Sequence, residues 1–328
     1  MKILVADIGG THSRLLLAEV ENNTRHIISE STYLSRDFSD FIAILKLFLC
    51  ERKISAACIA VAGPVRNGVA EITNLPWLIR EDELVQLLET SNVKLINDFV
   101  AVAYGVTELN DKDILLLHKG EESKIGAADS SITVVGAGTG LGAANQVLLD
   151  GHYFTLTSEV GHIGFAPDNK TQTKLLAWLQ ELHQHVSLEM ILSGRGLVRL
   201  YHFFNEVIGL PQSSEVKEAM LHNDPAKIIS DYALANKDNL CVKTLDCFVE
   251  IYGSAAGDIA LHYFSSTELY IAGGIAEKIK NKMSEKRFLN AFFNKGLMSE
   301  KMKKITVKLV LENKVGLYGA LSYAKENI

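Results

Sequence analysis

Cysteine is scarce and unpatterned. Cys50, Cys58, Cys241 and Cys247 are the only four; they fall in no metal-ligand spacing and make no obvious disulfide framework. Positive charge is not in excess either. The formal net charge is −6 at pH 7, which argues against a nucleic-acid partner, because phosphate binding wants a basic surface. No apolar run approaches the ~18 residues of a membrane span, and Asp7 interrupts the N-terminal apolar segment, so no signal peptide is expected. Gly-Lys-Ser and Gly-Lys-Thr are missing throughout, which excludes a Walker ATPase at the motif level. Low-complexity segments are also missing. These absences predict a cytoplasmic protein. Its 328 residues, 48% hydrophobic and 22% charged, suit a globular chain of two domains, since single cores stop growing at roughly 250–300 residues.

What the chain does have is glycine in three telling turns. Lys2 to Ile8 reads as a short apolar strand, ends in Gly9-Gly10-Thr11, and is followed by a second strand over Ser13 to Val20, closed by Glu21-Asn22-Asn23. The glycines therefore sit in a strand–turn–strand hairpin, whereas dinucleotide and Walker loops place theirs before a helix. Backbone N–H groups at Gly9 and Gly10, with the Thr11 hydroxyl, can donate from such a turn. Asp7 stands where a carboxylate could hold Mg²⁺, usually through water. Alone, this turn reads equally well as an ordinary Gly-Gly hairpin. A second copy breaks the tie: Ser131 to Val135, then Gly136-Ala137-Gly138-Thr139-Gly140-Leu141-Gly142, then Ala143 to Leu149 and an Asp150-Gly151 turn. The third is Leu269 to Ala272, a buried strand running into Gly273-Gly274 ahead of a helix-like segment.

Strands alternate with helices between these turns, predicting an α/β layout with sites at the carboxyl ends of strands. Expected strands cover Ser29 to Leu34, Ala56 to Ala62, Val93 to Ile96 and Ile305 to Leu311. Expected helices cover Phe38 to Cys50 (capped by Asp37 or Ser39), Arg80 to Glu89, Lys174 to Leu182, Ile228 to Phe264 and Asn313 to Lys325. Gly253 and Gly257 on one side of the long region suit close packing, and basic Asn281 to Lys304 reads as a solvated face. Lys119 to Ala128 reads as the passage into a second domain. Asn97-Asp98 ends a strand just before a helix. There Asp98 could take a proton from a bound hydroxyl or merely cap the helix, and the glycine turns on either side favour the base. Glu159 and His162 lie in a glycine-containing loop suited to vicinal sugar hydroxyls. A metal reading of that loop lacks a third ligand, and His183 and His185 read as a solvated helix face. Glu189, taken alone, reads as a capping or surface carboxylate.

Two glycine hairpins and a later strand–Gly-Gly–helix resemble the sugar kinase, actin and heat-shock chaperone superfamily over nearly the whole length. Ala6-Asp7-Ile8-Gly9-Gly10-Thr11, Leu95-Ile96-Asn97-Asp98-Phe99, Gly136 to Gly142, Glu159-Val160-Gly161-His162 with Phe165-Ala166-Pro167, and Leu192-Ser193-Gly194 occur together and in order. That set resembles the bacterial ATP-dependent glucokinases of hexokinase-like type. The resemblance implies a two-domain actin-like (ribonuclease H-like) α/β fold with a cleft between a small domain, 1–111 plus 313–328, and a large one, 112–312. It implies ATP and Mg²⁺ as cofactors and a homodimer. Asn97, Asp98, Glu159, His162 and Glu189 would contact glucose, with Asp98 as catalytic base. Ala6 to Thr11, Gly136, Gly138, Thr139, Gly140, Gly273 and Gly274 would hold ATP, with Asp7 at the metal. Val160 stands where the family often has glycine, and Arg195 where it often has proline. The Cys-x-Cys-Gly zinc cluster of the repressor/kinase (ROK) enzymes is missing, so no structural zinc is expected.

Competing classes fare worse. A sugar-responsive regulator would need a DNA-binding module, and none fits before Asp7. A chaperone-like assembly protein would leave Glu159, His162 and Glu189 without a task. A kinase of the same fold for another hexose or an amino sugar is the nearer rival.

Overall fold

The structure, a computed structural model, describes residues 1–21, 24–120, 131–263 and 266–328. The expected Asn22-Asn23 turn, most of the Lys119 to Ala128 passage and Phe264 lie outside them. The chain divides into two compact units, one of Met1–Asp113, Thr155–Thr157 and Glu312–Ile328, the other of Ile114–Phe154 and Ser158–Leu311.

The first unit is built on a hairpin of β1 (Lys2–Ile8) and β2 (His12–Glu21), extended by β3 (Thr24–Leu34). Helix α1 (Phe41–Leu49) leads to β4 (Ala56–Val61), which lies parallel to β1. Its cap is Asp40, whose Oδ1 accepts the Ala43 N–H at 2.8 Å. Neither expected cap serves: Asp37 closes a 3-10 turn over Ser35–Asp37, and Ser39 donates to Asp40. A small antiparallel sheet of β5 (Val65–Arg66), β6 (Val69–Glu71) and β7 (Leu78–Arg80) precedes α2 (Glu81–Leu88). Strand β8 (Val93–Asn97) then delivers α3 (Asp98–Val106), and the main sheet runs β3-β2-β1-β4-β8. Alternation sorts β1 by face: Leu4, Ala6 and Ile8 join one core cluster with α1, while Ile3 and Val5 join another with the last helix.

The second unit repeats that plan. From β9 (Ile114–His118) the chain enters a hairpin of β10 (Ser131–Ala137) and β11 (Leu141–Leu149), extended by β12 (His152–Ser158) through a turn with both Asp150 and Gly151 at positive φ. Helices α4 (Lys170–Gln180), α5 (Gly194–Glu206), α6 (Ser214–His222), α7 (Pro225–Leu234) and α8 (Asn239–His262) follow. The expected single helical stretch from Ile228 is thus two helices. Asn236 adopts a left-handed conformation after the first, and Asp238 caps the second through Cys241 N–H at 2.8 Å. Strand β13 (Ser266–Ala272) lies parallel to β10, and α9 (Gly274–Lys278), α10 (Lys280–Met283), α11 (Lys286–Phe293) and α12 (Ser299–Met302) lead to β14 (Thr306–Val310). The sheet order is β12-β11-β10-β13-β14-β9. The basic stretch Asn281 to Lys304 presents Glu285, Lys286 and Arg287 to solvent, the solvated face expected, and spreads it over three short helices. Met283, Phe288, Phe292 and Met302 are fully buried, while Lys282 and Arg287 pair with Asp246 at 3.0 and 3.3 Å. Gly253 of α8 meets the Phe288 carbonyl of α11 so closely that a Cβ would collide with it.

The last helix, α13 (Val315–Asn327), returns to the first unit and packs on α3, β1 and β4. No helix among the described residues is long and apolar enough to cross a membrane. A Cβ on Gly319 would fall on the Ala101 carbonyl, and one on Gly105 on the Val315 carbonyl, so α3 and α13 touch backbone to backbone. Gly319→Ala should therefore force the helices apart and cost about 1–3 kcal/mol or more, the scale of overpacking a closed core. A urea midpoint equal to that of the parent chain would disprove so close an approach.

Candidate active site

In the first unit, β1 ends at Asp7 and Ile8, and the backbone turns through Gly9-Gly10-Thr11 into β2. The Gly9 N–H donates to the His12 carbonyl at 2.9 Å, and Ser35 donates its hydroxyl to the Gly9 carbonyl at 2.9 Å. Ala6 is buried within β1 and Thr11 is exposed at the tip. Asp7 faces Arg14 across the hairpin, Nη1 to Oδ2 at 3.3 Å, as their register pairing requires. Gly316 of α13 brings its backbone against the same carboxylate, where a Cβ would stand 3.3 Å from Oδ2. Burial pushes the Asp7 carboxyl above its ordinary 3.8, and the Arg14 charge and hydrogen bond pull it partly back.

Asn97 and Asp98 lie together at the carboxyl end of β8. Asn97 is the N-cap of α3, its Oδ1 accepting the Phe99 N–H at 2.9 Å while its Nδ2 donates to the Gly63 carbonyl at 3.1 Å. Asp98 is the first helical residue, half-buried, with Oδ1 3.0 Å from the same N–H. Asn97 holds the N-cap position, and the two side chains share the Phe99 N–H.

In the second unit the β10–β11 turn is drawn tight by a Gly138 N–H bond to the Gly140 carbonyl at 2.8 Å. Thr139 is exposed at its tip, and Gly136 is buried at its base beside Ala137, whose N–H donates to the Tyr252 hydroxyl at 3.1 Å. Gly273, at φ +88°, packs on Ala137, and exposed Gly274 opens α9. Glu159 and His162 flank a 3-10 turn over Val160–His162 and are both exposed. Glu189 sits in the 3-10 turn Leu188–Met190, and its Oε2 accepts the Leu141 N–H at 3.0 Å. The two turns are laced by Leu188 N–H to the Ile163 carbonyl at 3.0 Å and Phe165 N–H to the Val186 carbonyl at 2.9 Å. His183 and His185 lie beyond the end of α4, not on a helix face, because the helix stops at Gln180. His185 Nε2 bonds the His162 carbonyl at 2.8 Å, making it a support for the loop. Among the described residues no group of three His, Cys, Asp or Glu could hold a metal by itself.

A sequence model of the glucokinase family matches residues 4–327. The chain belongs to the glucokinase family. A curated glucokinase from Nostoc sp. is 37% identical over 336 residues, covering 97% of each chain. The crystal structure of a glucokinase from an Antarctic psychrotroph has a TM-score of 0.82 and 35% identity, covering 99% of each chain. A ROK family glucokinase from Streptomyces griseus, solved in complex with glucose and AMPPNP, has a TM-score of 0.67 at 20% identity over the whole of both chains, a likeness of fold. The fold is the two-domain actin-like ATPase fold. Of the departures from the usual glucokinase pattern, Val160 is buried in the core and Arg195 is exposed on the first turn of α5.

Arg14 and Tyr252 were not among the residues the sequence singled out, and His185, read there as part of a solvated helix face, is instead bound to the loop. Arg14 had a usable signal, since counting back across a two-strand hairpin pairs it with Asp7. For Tyr252 and His185 the partners are backbone groups far along the chain, and no local pattern marks them.

Because the folded Asp7 binds its proton above 3.8, the native state holds more protons than the unfolded chain just above that pH, and stability falls as pH rises through the window. Asp7→Asn should accordingly raise the melting temperature at pH 7 and lose that advantage as the pH approaches 3.8. A lower melting temperature for the variant at neutral pH would mean that the Arg14 pair outweighs burial.

Proposed function

We propose that the chain transfers the γ-phosphoryl of ATP to the 6-hydroxyl of D-glucose, giving glucose 6-phosphate and ADP, the first step of glycolysis. Membership of the glucokinase family over residues 4–327 carries this reading. Asp98 supports it in detail, as a carboxylate at a strand end, beside an amide and ahead of a helix.

In the proposed reaction Asp98 accepts the proton of the 6-hydroxyl as that oxygen attacks the γ-phosphorus, and the bond to the β-phosphate oxygen breaks. Asn97 helps to orient the sugar, and its own amide is fixed on the Gly63 carbonyl. Glu159, His162 and Glu189 take further sugar hydroxyls. The Ala6 to Thr11 turn, the Gly136 to Gly140 turn and the Gly273-Gly274 pair hold ATP with backbone N–H groups and the Thr11 and Thr139 hydroxyls. Mg²⁺ fits a single protein carboxylate shared with substrate phosphates, its usual manner of binding, and Asp7 supplies that carboxylate. The metal would neutralise charge on the transferring group. We further propose a homodimer, as the family resemblance implies, and a cytoplasmic location. Four free thiols, three of them buried, support a reducing compartment.

Two measurements test this. Sugar-dependent ADP release with Mg-ATP should favour glucose over mannose, fructose and N-acetylglucosamine; no stimulation by any sugar would end the kinase reading. Asp98→Asn should fold normally yet turn over more than about 100-fold more slowly, the usual scale of losing a general base, and near-normal turnover would remove Asp98 from that role.

A further inference from the structure

Glu189 has two oxygens with different employment. Oε2 accepts the backbone N–H of Leu141, the first residue of β11 after the Gly136 to Gly140 turn. Oε1 makes no hydrogen bond to the described residues. A Cβ on Gly140 would fall on Oε2 itself, and one on Gly161, in the Glu159–His162 turn, would stand 3.4 Å from it. The carboxylate is thus wedged between the glycine hairpin and the neighbouring loop, with no side chain intervening on either.

The short turn that carries Glu189 is clamped from behind. Ser193 donates its hydroxyl to the Glu189 carbonyl at 2.8 Å, and Arg199 Nη1 donates to the Met190 carbonyl at 3.0 Å. The Gly194 N–H closes the arrangement on the Gly138 carbonyl at 3.0 Å. Two hydrogen bonds therefore tie this turn to both limbs of the hairpin, at Gly138 and at Leu141. These bonds hold the backbone beneath the carboxylate in place.

We infer that Glu189 couples the two substrates: through Oε2 it sets the conformation of the second nucleotide hairpin, and through Oε1 it takes a sugar hydroxyl. The inference rests on the nucleotide and sugar roles proposed above, and adds to them a positioning role for Glu189 toward ATP. A hydroxyl donated to Oε1 removes the remaining rotation of the carboxylate and fixes the acceptor that orders Leu141. Sugar then prepays part of the ordering that nucleotide binding requires. Linkage makes the effect reciprocal, so nucleotide must tighten sugar by the same factor.

Calorimetric titration of the full chain with Mg-AMPPNP, with and without glucose, tests the coupling. Glu189→Ala should weaken AMPPNP about 10-fold in the absence of sugar, the scale of one charge-assisted hydrogen bond, and abolish any tightening by glucose. Glu189→Gln, which keeps an oxygen for the Leu141 N–H, should retain most of the sugar-free affinity. Gly140→Ala, a change in the nucleotide hairpin that displaces Oε2, should weaken glucose in the absence of nucleotide; if it does not fold, the two Glu189 variants decide. Sugar-free AMPPNP affinity within two-fold of the parent in Glu189→Ala, with glucose affinity lost, would overturn the coupling and leave Glu189 a sugar ligand alone. Failure of the parent chain to bind AMPPNP at all would overturn the kinase reading beneath it.

Discussion

A turn that offers bare backbone N–H groups has to be held in shape by something other than its own side chains. That constraint shapes both units. Each presents a glycine turn between antiparallel strands, with a parallel strand beside the first of them, so the turn projects from the end of a stiff sheet. Behind the first turn, Ser35 fixes the Gly9 carbonyl. Behind the second, Tyr252 holds Ala137, Gly194 holds Gly138 and Glu189 holds Leu141. Burial pushes the Tyr252 hydroxyl well above its ordinary range, so it stays a neutral partner.

The same economy governs the groups proposed to meet the sugar. Asn97 takes the N-cap position of α3 and anchors on the Gly63 carbonyl, beside the aspartate proposed as base. The Glu159–His162 turn has almost no packing of its own beyond Val160 and Gly161, and leans on His185 through the His162 carbonyl. Placing reactive side chains on short turns whose backbone is bonded elsewhere keeps them exposed without leaving them loose.

Local features of this architecture were open to reading from the chain, and long-range ones were not. The hairpins announce themselves through apolar runs flanking glycine, a signal contained within a few residues. Asp98 is marked by its place between a strand and a helix. By contrast, Tyr252 is 115 positions from the N–H it serves, and Glu189 is 48 from Leu141. No periodicity carries that information. In the basic stretch from Asn281 the charges are frequent and mark its exposed face, while its large buried anchors, Met283, Phe288, Phe292 and Met302, are few. The start of α1 misled by a residue or three, because Asp37, Ser39 and Asp40 are all acceptable caps and only the extended backbone at Asp40 selects one.

The return of α13 to the first unit has a temporal side. Strand β1 is made long before the helix that covers Ile3 and Val5 and presses on Asp7. At elongation speeds of about 5–20 residues per second, the interval is on the order of tens of seconds. Throughout it, Ile3 and Val5 on one face of the sheet lack the cover of that helix. The second unit, uninterrupted from Ser158 to Leu311, is complete before that helix is synthesised. The sheet of the first unit is thus laid down early and closed late, after the second unit has been made.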